Sequence, residues 1–375
     1  MRVDQLLNGM YRDDAIASEA RTLQNFLLDW GYESEIYSNY KHTCPNSKKI
    51  ALPHDDYEPR DPSDVMIYHY SLYSEVTDFY KTLDPVHRVI RYHNITPHEF
   101  WEDYNEDLAK ELKVGREELP ALATVTERAY GVSEYNRREL EVAGFRNTEE
   151  LPLFMEWERF GKQGDSHILK TYRDGRTNLL YVGRVVPNKC FEDLLRIFNY
   201  YNHYLDMDSR LILCGSWGSS PKYYEFLKGF IEMLQLDGVV FAGPVNDRQL
   251  RSFYETASVY VSMSEHEGFC APLVEAMHFE IPIVAYASSA IPHTLGGSGV
   301  LVKQKNFMLV AELIHEIVNS PSLRKTIVER QKERLKAFTS EALKRRWENS
   351  LRPYLESVAK GAREPISASK RGTHP

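Results

Sequence analysis

Two carboxylates with a suggestive spacing stand between Ser264 and Met277, in the segment SEHEGFCAPLVEAM: Glu267 and Glu275, eight positions apart. A short apolar run precedes this segment. Helical spacing begins at Ala271, and the proline that follows suits a first helical turn, where its missing N–H costs nothing. We therefore expect Glu267 in a strand-to-helix loop and Glu275 in the first or second turn of the next helix.

This placement suggests a phosphate-containing ligand that also carries hydroxyl groups. In an open α/β sheet, ligands bind at the edge where strands lead into helices, and a helix N-terminus offers free N–H groups and a partial positive charge to a phosphate. A carboxylate beside it accepts hydrogen bonds from ribose or sugar hydroxyls. Taken alone, the two glutamates are more simply explained as a solvated loop acid and an acid that complements the helix dipole.

A pair of cations follows another apolar run in YVGRVVPNK, residues 181–189. The predicted strand ends at Gly183, so Arg184 and Lys189 lie on the loop that leads into a helix. Two cations at the carboxyl edge of a strand can neutralise a diphosphate. The alternative is two solvated loop cations, which is the usual role of surface Lys and Arg.

A histidine stands near the end of a third apolar run, in VIRYHNITPHEFW, residues 89–101. The pattern places His93 at the carboxyl end of a buried strand, facing the space between two domains, with Asn94 as a polar neighbour. A single histidine at a strand end is more often structural than catalytic.

Together these segments resemble retaining glycosyltransferase family 4, the "glycosyl transferases group 1", whose signature is E-x7-E. The continuation IPIVAYASSAIPHTLGGSGVLV is similar to the family's P-E-T-L-G-G segment, with His293 where Glu is usual. The cation segment resembles G-R-x4-K, with Cys190 where Gly is usual. The third segment resembles H-N-I-T-P-x-E-F, and VVFAGPVNDRQL (residues 239–250) resembles F-x-G-x-V-x-D-x-x-L.

The resemblance implies a role for each matching residue. The catalytic assignments are Glu267 on the transferred sugar, His93 near the reacting carbon, and Arg184 with Lys189 on the diphosphate. The implied donor-binding residues contact ribose, sugar, phosphate or base: Glu275, Gly183, Gly268, Phe269, Cys270, Gly243, Val245 and Gly9.

The implied function is retaining transfer of a hexose-type sugar from a nucleotide-diphosphate sugar to a hydroxyl of a sugar or lipid-linked acceptor, in polysaccharide or other glycoconjugate synthesis. No cofactor and no metal are expected, because neither Asp13-Asp14 nor Asp55-Asp56 forms the Asp-x-Asp metal motif of the other glycosyltransferase fold. Two alternatives are a sugar phosphorylase of the same fold and a catalytically silent nucleotide-sugar-binding subunit.

Apolar runs alternate with amphipathic stretches along most of the chain, as in α/β domains with parallel sheets. The expected architecture is GT-B, two Rossmann-like domains facing across a cleft. The expected parts are an acceptor-side domain (1–152), a nucleotide-sugar domain (153–338), a helix crossing back to the first domain (339–358) and a disordered tail (359–375).

Composition narrows the class of protein. The chain has 375 residues, a formal net charge of −8 and four cysteines. The acidic balance argues against nucleic-acid binding. The cysteines match neither a zinc spacing nor a disulfide framework. No run has the length of a membrane span, and the N-terminus lacks the apolar core of a signal peptide. We expect a cytoplasmic protein, with contact to the inner face of the membrane left open.

Overall fold

The computed structural model describes residues 1–11, 15–84 and 86–361. The chain divides into two compact units. The first contains Met1–His98, Asp107–Phe154 and the chain from Glu341 onward, and the second contains Glu99–Glu106 and Met155–Ser340. Two predictions lie outside the described residues: the sequence offers Asp13 or Asp14 as the N-cap of the following helix, and most of the expected tail (359–375) also falls there.

A parallel sheet forms the centre of the first unit. Within the described residues, its strands are β1 (Val3–Leu7), β2 (Ile36–Ser38), β3 (Leu52–Pro53), β4 (Val65–Tyr70), β5 (His87–Tyr92), β6 (Arg128–Gly131) and β7 (Thr148–Glu150). Their order is β3-β2-β1-β4-β5-β6-β7. The pattern of apolar runs predicts the five inner strands and misses the two outermost ones, because β3 is two residues long and ends in proline, while β7 reads Thr-Glu-Glu. Both are edge strands, where proline and polar residues are tolerated.

The α-helices among the described residues of this unit are α1 (Ala15–Asp29), α2 (Glu75–Thr82), α3 (Glu106–Glu117), α4 (Leu119–Ala123), α5 (Glu134–Val142) and α14 (Ser340–Ala359). Helical spacing in the sequence predicts one helix over residues 97–112 and another over 116–127, and the structure shows that this prediction is wrong. A 3-10 turn at His98–Phe100 comes first, and the main helix begins eight residues later. The segment between them packs in the second unit, which interrupts the helix that periodicity alone suggests.

The last helix, α14, packs in the core of the first unit. Its residues Trp347, Leu351 and Leu355 are buried together with Val3 and Leu151. The indole of Trp347 also stacks on Phe154, with ring centroids 5.2 Å apart. The apolar stripe at helical spacing thus accounts for the packing of this helix.

The second unit contains another parallel sheet. Its strands are β8 (Thr177–Val182), β9 (Ser209–Cys214), β10 (Val239–Gly243), β11 (Val259–Ser262), β12 (Ile283–Tyr286) and β13 (Val300–Val302), in the order β10-β9-β8-β11-β12-β13. Its helices are α6 (Ser166–Tyr172), α7 (Phe191–Tyr200), α8 (Pro221–Met233), α9 (Asp247–Thr256), α10 (Ala271–His278), α11 (Ile291–Leu295), α12 (Phe307–Asn319) and α13 (Pro321–Leu335). The expected α/β class with two parallel sheets is confirmed.

The strand order of each sheet reverses direction at one point. In the second unit the reversal falls between β8 and β11, and in the first between β1 and β4. In open α/β sheets, ligands bind beyond the carboxyl ends of the strands at such a point. The cation segment follows β8 and the two-glutamate segment follows β11, so the topology brings them together. None of the helices in the described ranges has the length and apolar content to cross a bilayer.

The N-cap of α13 provides a test of local stability. Ser320 precedes Pro321, a residue suited to the first position of a helix, so the sequence predicts an N-cap at Ser320. In the structure its hydroxyl accepts a hydrogen bond from the backbone N–H of Leu323, at 3.4 Å. We expect Ser320→Ala to lower the free energy of unfolding by about 1 kcal/mol, whereas Ser320→Gly should cost only about a few tenths. Chemical denaturation of the three proteins measures both values, and equal losses in the two variants would contradict the capping role.

Candidate functional site

An ion pair lies at the carboxyl edge of the second sheet. The Lys189 ammonium is 2.6 Å from a carboxylate oxygen of Glu267, and both side chains are largely buried. The loop that carries Glu267 is fixed by its own backbone, whose N–H donates to the Ser289 hydroxyl at 2.7 Å. The Asn188 amide also donates to the carbonyl of His266 at 3.0 Å. The two predicted residues are therefore brought together by loops that hold each other in place.

The N-terminus of α10 adjoins this ion pair. Its N-cap, Cys270, has left-handed backbone dihedral angles (φ 67°, ψ 65°) and makes no capping hydrogen bond with its side chain. Among the hydrogen bonds of the described residues, none uses the backbone N–H of Gly268, Phe269, Cys270 or Ala271. Four consecutive free N–H groups at a helix N-terminus, beside a lysine, form a site suited to an anion.

Glu275 lies in the second turn of α10, as the sequence predicts, and its carboxylate is already engaged. One oxygen accepts a hydrogen bond from the Arg159 guanidinium at 2.5 Å, and the other accepts from the Tyr254 hydroxyl at 2.6 Å. The residue is 5% exposed. Each carboxylate oxygen has a second lone pair, so a ribose hydroxyl would share Glu275 with these two partners. Its role on ribose stays a prediction.

Arg184 differs from Lys189 in its surroundings. It is exposed, and within the described part of the chain its side chain makes no hydrogen bond or ion pair. The turn before it is tight: a Cβ on Gly215, the residue after β9, would lie 1.9 Å from the carbonyl oxygen of Gly183. Only glycine permits this approach of two neighbouring strand ends. Arg184 is thus a cation available to a ligand.

The proposed base-side residues lie at the end of β10. Gly243 accepts a hydrogen bond from the N–H of Gly215 at 2.9 Å and borders the Trp217 ring. The Trp217 ring stacks on Tyr224 with centroids 4.5 Å apart, while Val245 is half-buried. Sequence reasoning missed Trp217, although the glycine directly after an apolar run in LILCGSW is a strand-end signal.

Cys190 replaces the glycine of the family motif, and its backbone explains why glycine is usual there. The residue has φ 52° and ψ 53°, the left-handed region that L-residues avoid. Its thiol is buried, and burial raises its pKa to about 12. A thiol with so high a pKa is a poor nucleophile, which agrees with a packing role.

In the first unit, His93 follows β5 at the carboxyl edge of its own sheet. Its Nε2 is 2.9 Å from Nδ1 of His69 and 3.5 Å from a carboxylate oxygen of Glu19. Glu19 in turn binds Arg91 through two hydrogen bonds of 2.6 and 3.1 Å. The Nε2 of His69 contacts the amide oxygen of Gln5 at 2.9 Å. His93 therefore belongs to a buried polar network.

Gly9 has a structural reason for being glycine. A Cβ at this position would lie 2.3 Å from the carbonyl oxygen of His42. The close approach that requires glycine is thus to protein backbone, and a role of Gly9 beside phosphate or acceptor stays a prediction.

Two clusters in the described ranges have donor atoms spaced as in metal sites: Glu19 with His69 and His93, and Cys190 with Asp193 and Glu265. Each already contains a cation. Arg91 binds Glu19 in the first, and in the second the Lys305 ammonium lies 2.6 Å from Asp193 and 2.7 Å from Glu265. A divalent ion at either cluster would be repelled by the cation already bound there, or would have to displace it. The clusters therefore give no support to a resident metal.

The contacts also reveal residues that the sequence did not indicate. Ser289 and Asn188 bind the loop that carries Glu267, Arg159 and Tyr254 bind Glu275, and Gln5, Glu19 and Arg91 surround the two histidines. Most of them belong to other elements than the residues they contact, so no local pattern marks them.

Residues 170–334, which lie within the second unit, match the family "Glycosyl transferases group 1". This match covers less than half of the chain. A segment of 176 residues is 29% identical to the capsular polysaccharide biosynthesis glycosyltransferase CapM of Staphylococcus aureus, covering 45% of this chain and 43% of CapM. The chain thus matches less than half the length of this curated relative.

Similarity to solved structures covers both units. Sucrose-phosphate synthase from Thermosynechococcus elongatus superposes with a TM-score of 0.72 and 16% identity, covering 95% of this chain and all of that one. HepE from Anabaena, in complex with UDP and glucose, gives 0.68 and 15% over 94% of this chain and all of that one. At these identities the likeness concerns the fold, and it confirms the expected two-domain GT-B class.

Proposed function

We propose that this protein is a glycosyltransferase of group 1 that moves a hexose-type sugar from a nucleotide-diphosphate sugar to a hydroxyl acceptor. The observation that carries the proposal is the run of four free N–H groups at the start of α10 beside the Lys189–Glu267 pair. This arrangement offers hydrogen-bond donors and a cation to a diphosphate, and a carboxylate to sugar hydroxyls, at a single point of the sheet.

Each side chain receives a role in that reaction. Arg184 and Lys189 bind the diphosphate and stabilise the charge that develops as it departs. Glu267 accepts hydrogen bonds from the transferred sugar, Glu275 accepts them from ribose, and His93 acts on the sugar. The acceptor oxygen forms its bond to the anomeric carbon on the face from which the phosphate oxygen leaves, so the configuration is retained. The departing phosphate takes the acceptor's proton.

The relatives support the class of donor and product. The CapM relative is named for capsular polysaccharide synthesis, and the HepE structure contains UDP and glucose. We therefore propose a nucleoside diphosphate sugar as the donor, a sugar or lipid-linked hydroxyl as the acceptor, and glycoconjugate synthesis as the setting.

A thermal-shift panel of nucleotide sugars tests the proposal first, because a bound donor stabilises the folded state by mass action. At a concentration of 100 Kd the gain is about 2.7 kcal/mol. The donor that shifts the melting temperature is then incubated with candidate acceptors, and the anomeric configuration of the product is determined by NMR. A shift with sugar and phosphate but with no nucleotide sugar would instead indicate a phosphorylase. Donor binding without transfer or hydrolysis would indicate a silent binding subunit.

Metal removal gives a separate prediction. Lys189, Arg184 and the N-terminus of α10 are fixed positive groups, so the departing diphosphate needs no ion. We expect full activity in excess chelator, with an Asp-x-Asp glycosyltransferase assayed in parallel as the metal-dependent control. Loss of activity in chelator, restored by magnesium or manganese, would contradict this account of leaving-group stabilisation.

A further inference from the structure

A chain of hydrogen bonds in the first unit ends at His93. Side chains alternate along strands, so Gln5 on β1, His69 on β4 and Arg91 on β5 lie on one face of the sheet, because the register pairs Leu7 with His69 and His69 with Arg91. Gln5 contacts His69, and His69 contacts His93, each at 2.9 Å. All three side chains are buried.

The direction of every hydrogen bond in this chain follows from its first member. The Gln5 amide nitrogen donates to the backbone carbonyl of Ala20 at 2.9 Å, and that carbonyl can only accept. The amide oxygen of Gln5 therefore faces His69 and must accept, so His69 Nε2 is a donor. This nitrogen carries the proton of a neutral ring, and His69 Nδ1 is then an acceptor. The partner on Nδ1, Nε2 of His93, must in turn be a donor.

Both rings are neutral near pH 7. Burial, with a smaller contribution from the Arg91 guanidinium, lowers the pKa of His69 to about 3. Burial also holds the pKa of His93 well below its usual value, and His69 and Arg91 act in the same direction. Glu19 faces His93 as well, but its carboxylate is bound by Arg91. Because Glu19 also accepts hydrogen bonds, it favours the same position for the His93 proton.

We propose that Gln5 and His69 are positioning residues that hold His93 in the tautomer protonated on Nε2, so that Nδ1 presents a lone pair to a substrate hydroxyl. Within the described residues, His93 Nδ1 has no hydrogen-bond partner. Other polar atoms without a partner are fully enclosed by protein, and Nδ1 of His93 is not one of those enclosed atoms. The atom is therefore unpaired yet still accessible.

The tautomer limits which ligand group His93 can recognise. A neutral Nδ1 accepts a hydrogen bond from a hydroxyl or an amide N–H, and it cannot donate to a carboxylate or a carbonyl. This step rests on the proposed function, in which the transferred sugar places a hydroxyl group against Nδ1 of His93. A uronic acid with a carboxylate in the same place would be rejected, because its lone pairs would face that of His93.

NMR of the full chain labelled with nitrogen-15 in its 13 histidines tests the tautomer directly. The spectra of His93→Gln and His69→Phe identify the two rings. We expect one protonated nitrogen per ring, Nε2 in both, and a nitrogen–nitrogen coupling through the hydrogen bond between the rings. Protonation of His93 on Nδ1, or on both nitrogens at pH 7, would overturn the proposal. So would binding of added Zn²⁺ that moves both sets of resonances, since the cluster would then be a metal site.

The kinetic consequence is tested with a matched pair of variants. His69→Phe keeps a ring of similar size and removes the acceptor for His93. We expect His69→Phe to lower kcat by at least about tenfold, because misplacing a polar side chain removes part of the rate enhancement that it contributes. The affinity for the free nucleoside diphosphate should be unchanged. Tyr80→Phe removes a different buried hydrogen bond of the same unit, to Thr126, and should leave kcat and both histidine signals unchanged. Equal kcat losses in the two variants would mean that His69 serves only stability.

The two readouts separate failure of this inference from failure of the proposed function. The NMR result does not depend on any substrate. The expected tautomer in a chain without transfer activity would count against the glycosyltransferase proposal alone. Transfer activity together with the opposite tautomer would count against the positioning role alone.

Discussion

Lys189→Ala is expected to lower kcat for sugar transfer by about 10²–10³-fold, equivalent to about 2.7–4 kcal/mol of transition-state stabilisation. The ammonium lies largely out of water, 2.6 Å from Glu267, where its charge acts on the departing diphosphate with little solvent screening. Arg184 is exposed, so water screens its charge more strongly. Arg184→Ala should therefore lose less rate than Lys189→Ala, but still at least about tenfold, or roughly 1.4 kcal/mol of transition-state stabilisation.

Initial-rate kinetics measure both losses, and two controls separate charge from folding. Lys228→Ala removes a lysine that pairs with Glu225 on an exposed face of α8, and it should leave kcat unchanged. Lys189→Arg keeps the charge and should recover part of the rate. The unfolding midpoint of Lys189→Ala must also be measured, because removing the Lys189 ammonium leaves the buried Glu267 carboxylate without its partner. Near-normal turnover of folded Lys189→Ala would remove this residue from leaving-group stabilisation.

Glu275→Ala is expected to weaken binding of a free nucleoside diphosphate by about 1.5–3 kcal/mol, the usual value of hydrogen bonds to a charged group. The same substitution should lower the free energy of unfolding by a similar amount. Arg159 and Tyr254 both donate to this buried carboxylate and would lose their acceptor. Isothermal titration calorimetry and denaturant unfolding measure the two quantities separately.

Tyr254→Phe is the matched control, because it removes one of the same hydrogen bonds but leaves the carboxylate in place. It should lower stability by about 1 kcal/mol and preserve nucleotide affinity. If Glu275→Ala folds and binds the nucleotide normally, Glu275 only links Arg159 and α9 to α10, and its assignment to ribose is wrong.

Removing the Glu267 carboxylate should affect turnover and nucleotide affinity in a different ratio from removing the Glu275 carboxylate. A residue that contacts only the transferred sugar affects turnover far more than affinity for the nucleotide alone. Comparing the two glutamate variants with the same nucleotide and the same donor therefore assigns each carboxylate to its part of the ligand.

The sequence by itself determined the class of fold and the location of the candidate site along the chain. Apolar runs of strand length that alternate with amphipathic helices predict parallel sheets, because both faces of each strand must be buried. The cap at Ser320 and the start of α10 at Ala271 were also predictable, because helix ends depend on neighbouring residues in the chain. The Arg184 and Lys189 segment and the two glutamates were assigned to the site because their spacing resembles the motifs of a known family.

The tertiary structure alone decided what these side chains contact. Glu275 meets Arg159, 116 residues away, and His69 meets Gln5, 64 residues away. Such contacts depend on strand order and register, which the packing of the whole unit selects and no local pattern encodes. The same holds for the segment that interrupts the expected helix near Pro97, which packs in the second unit. Local propensities determine which residues become helix or strand, and long-range packing determines which functional groups meet.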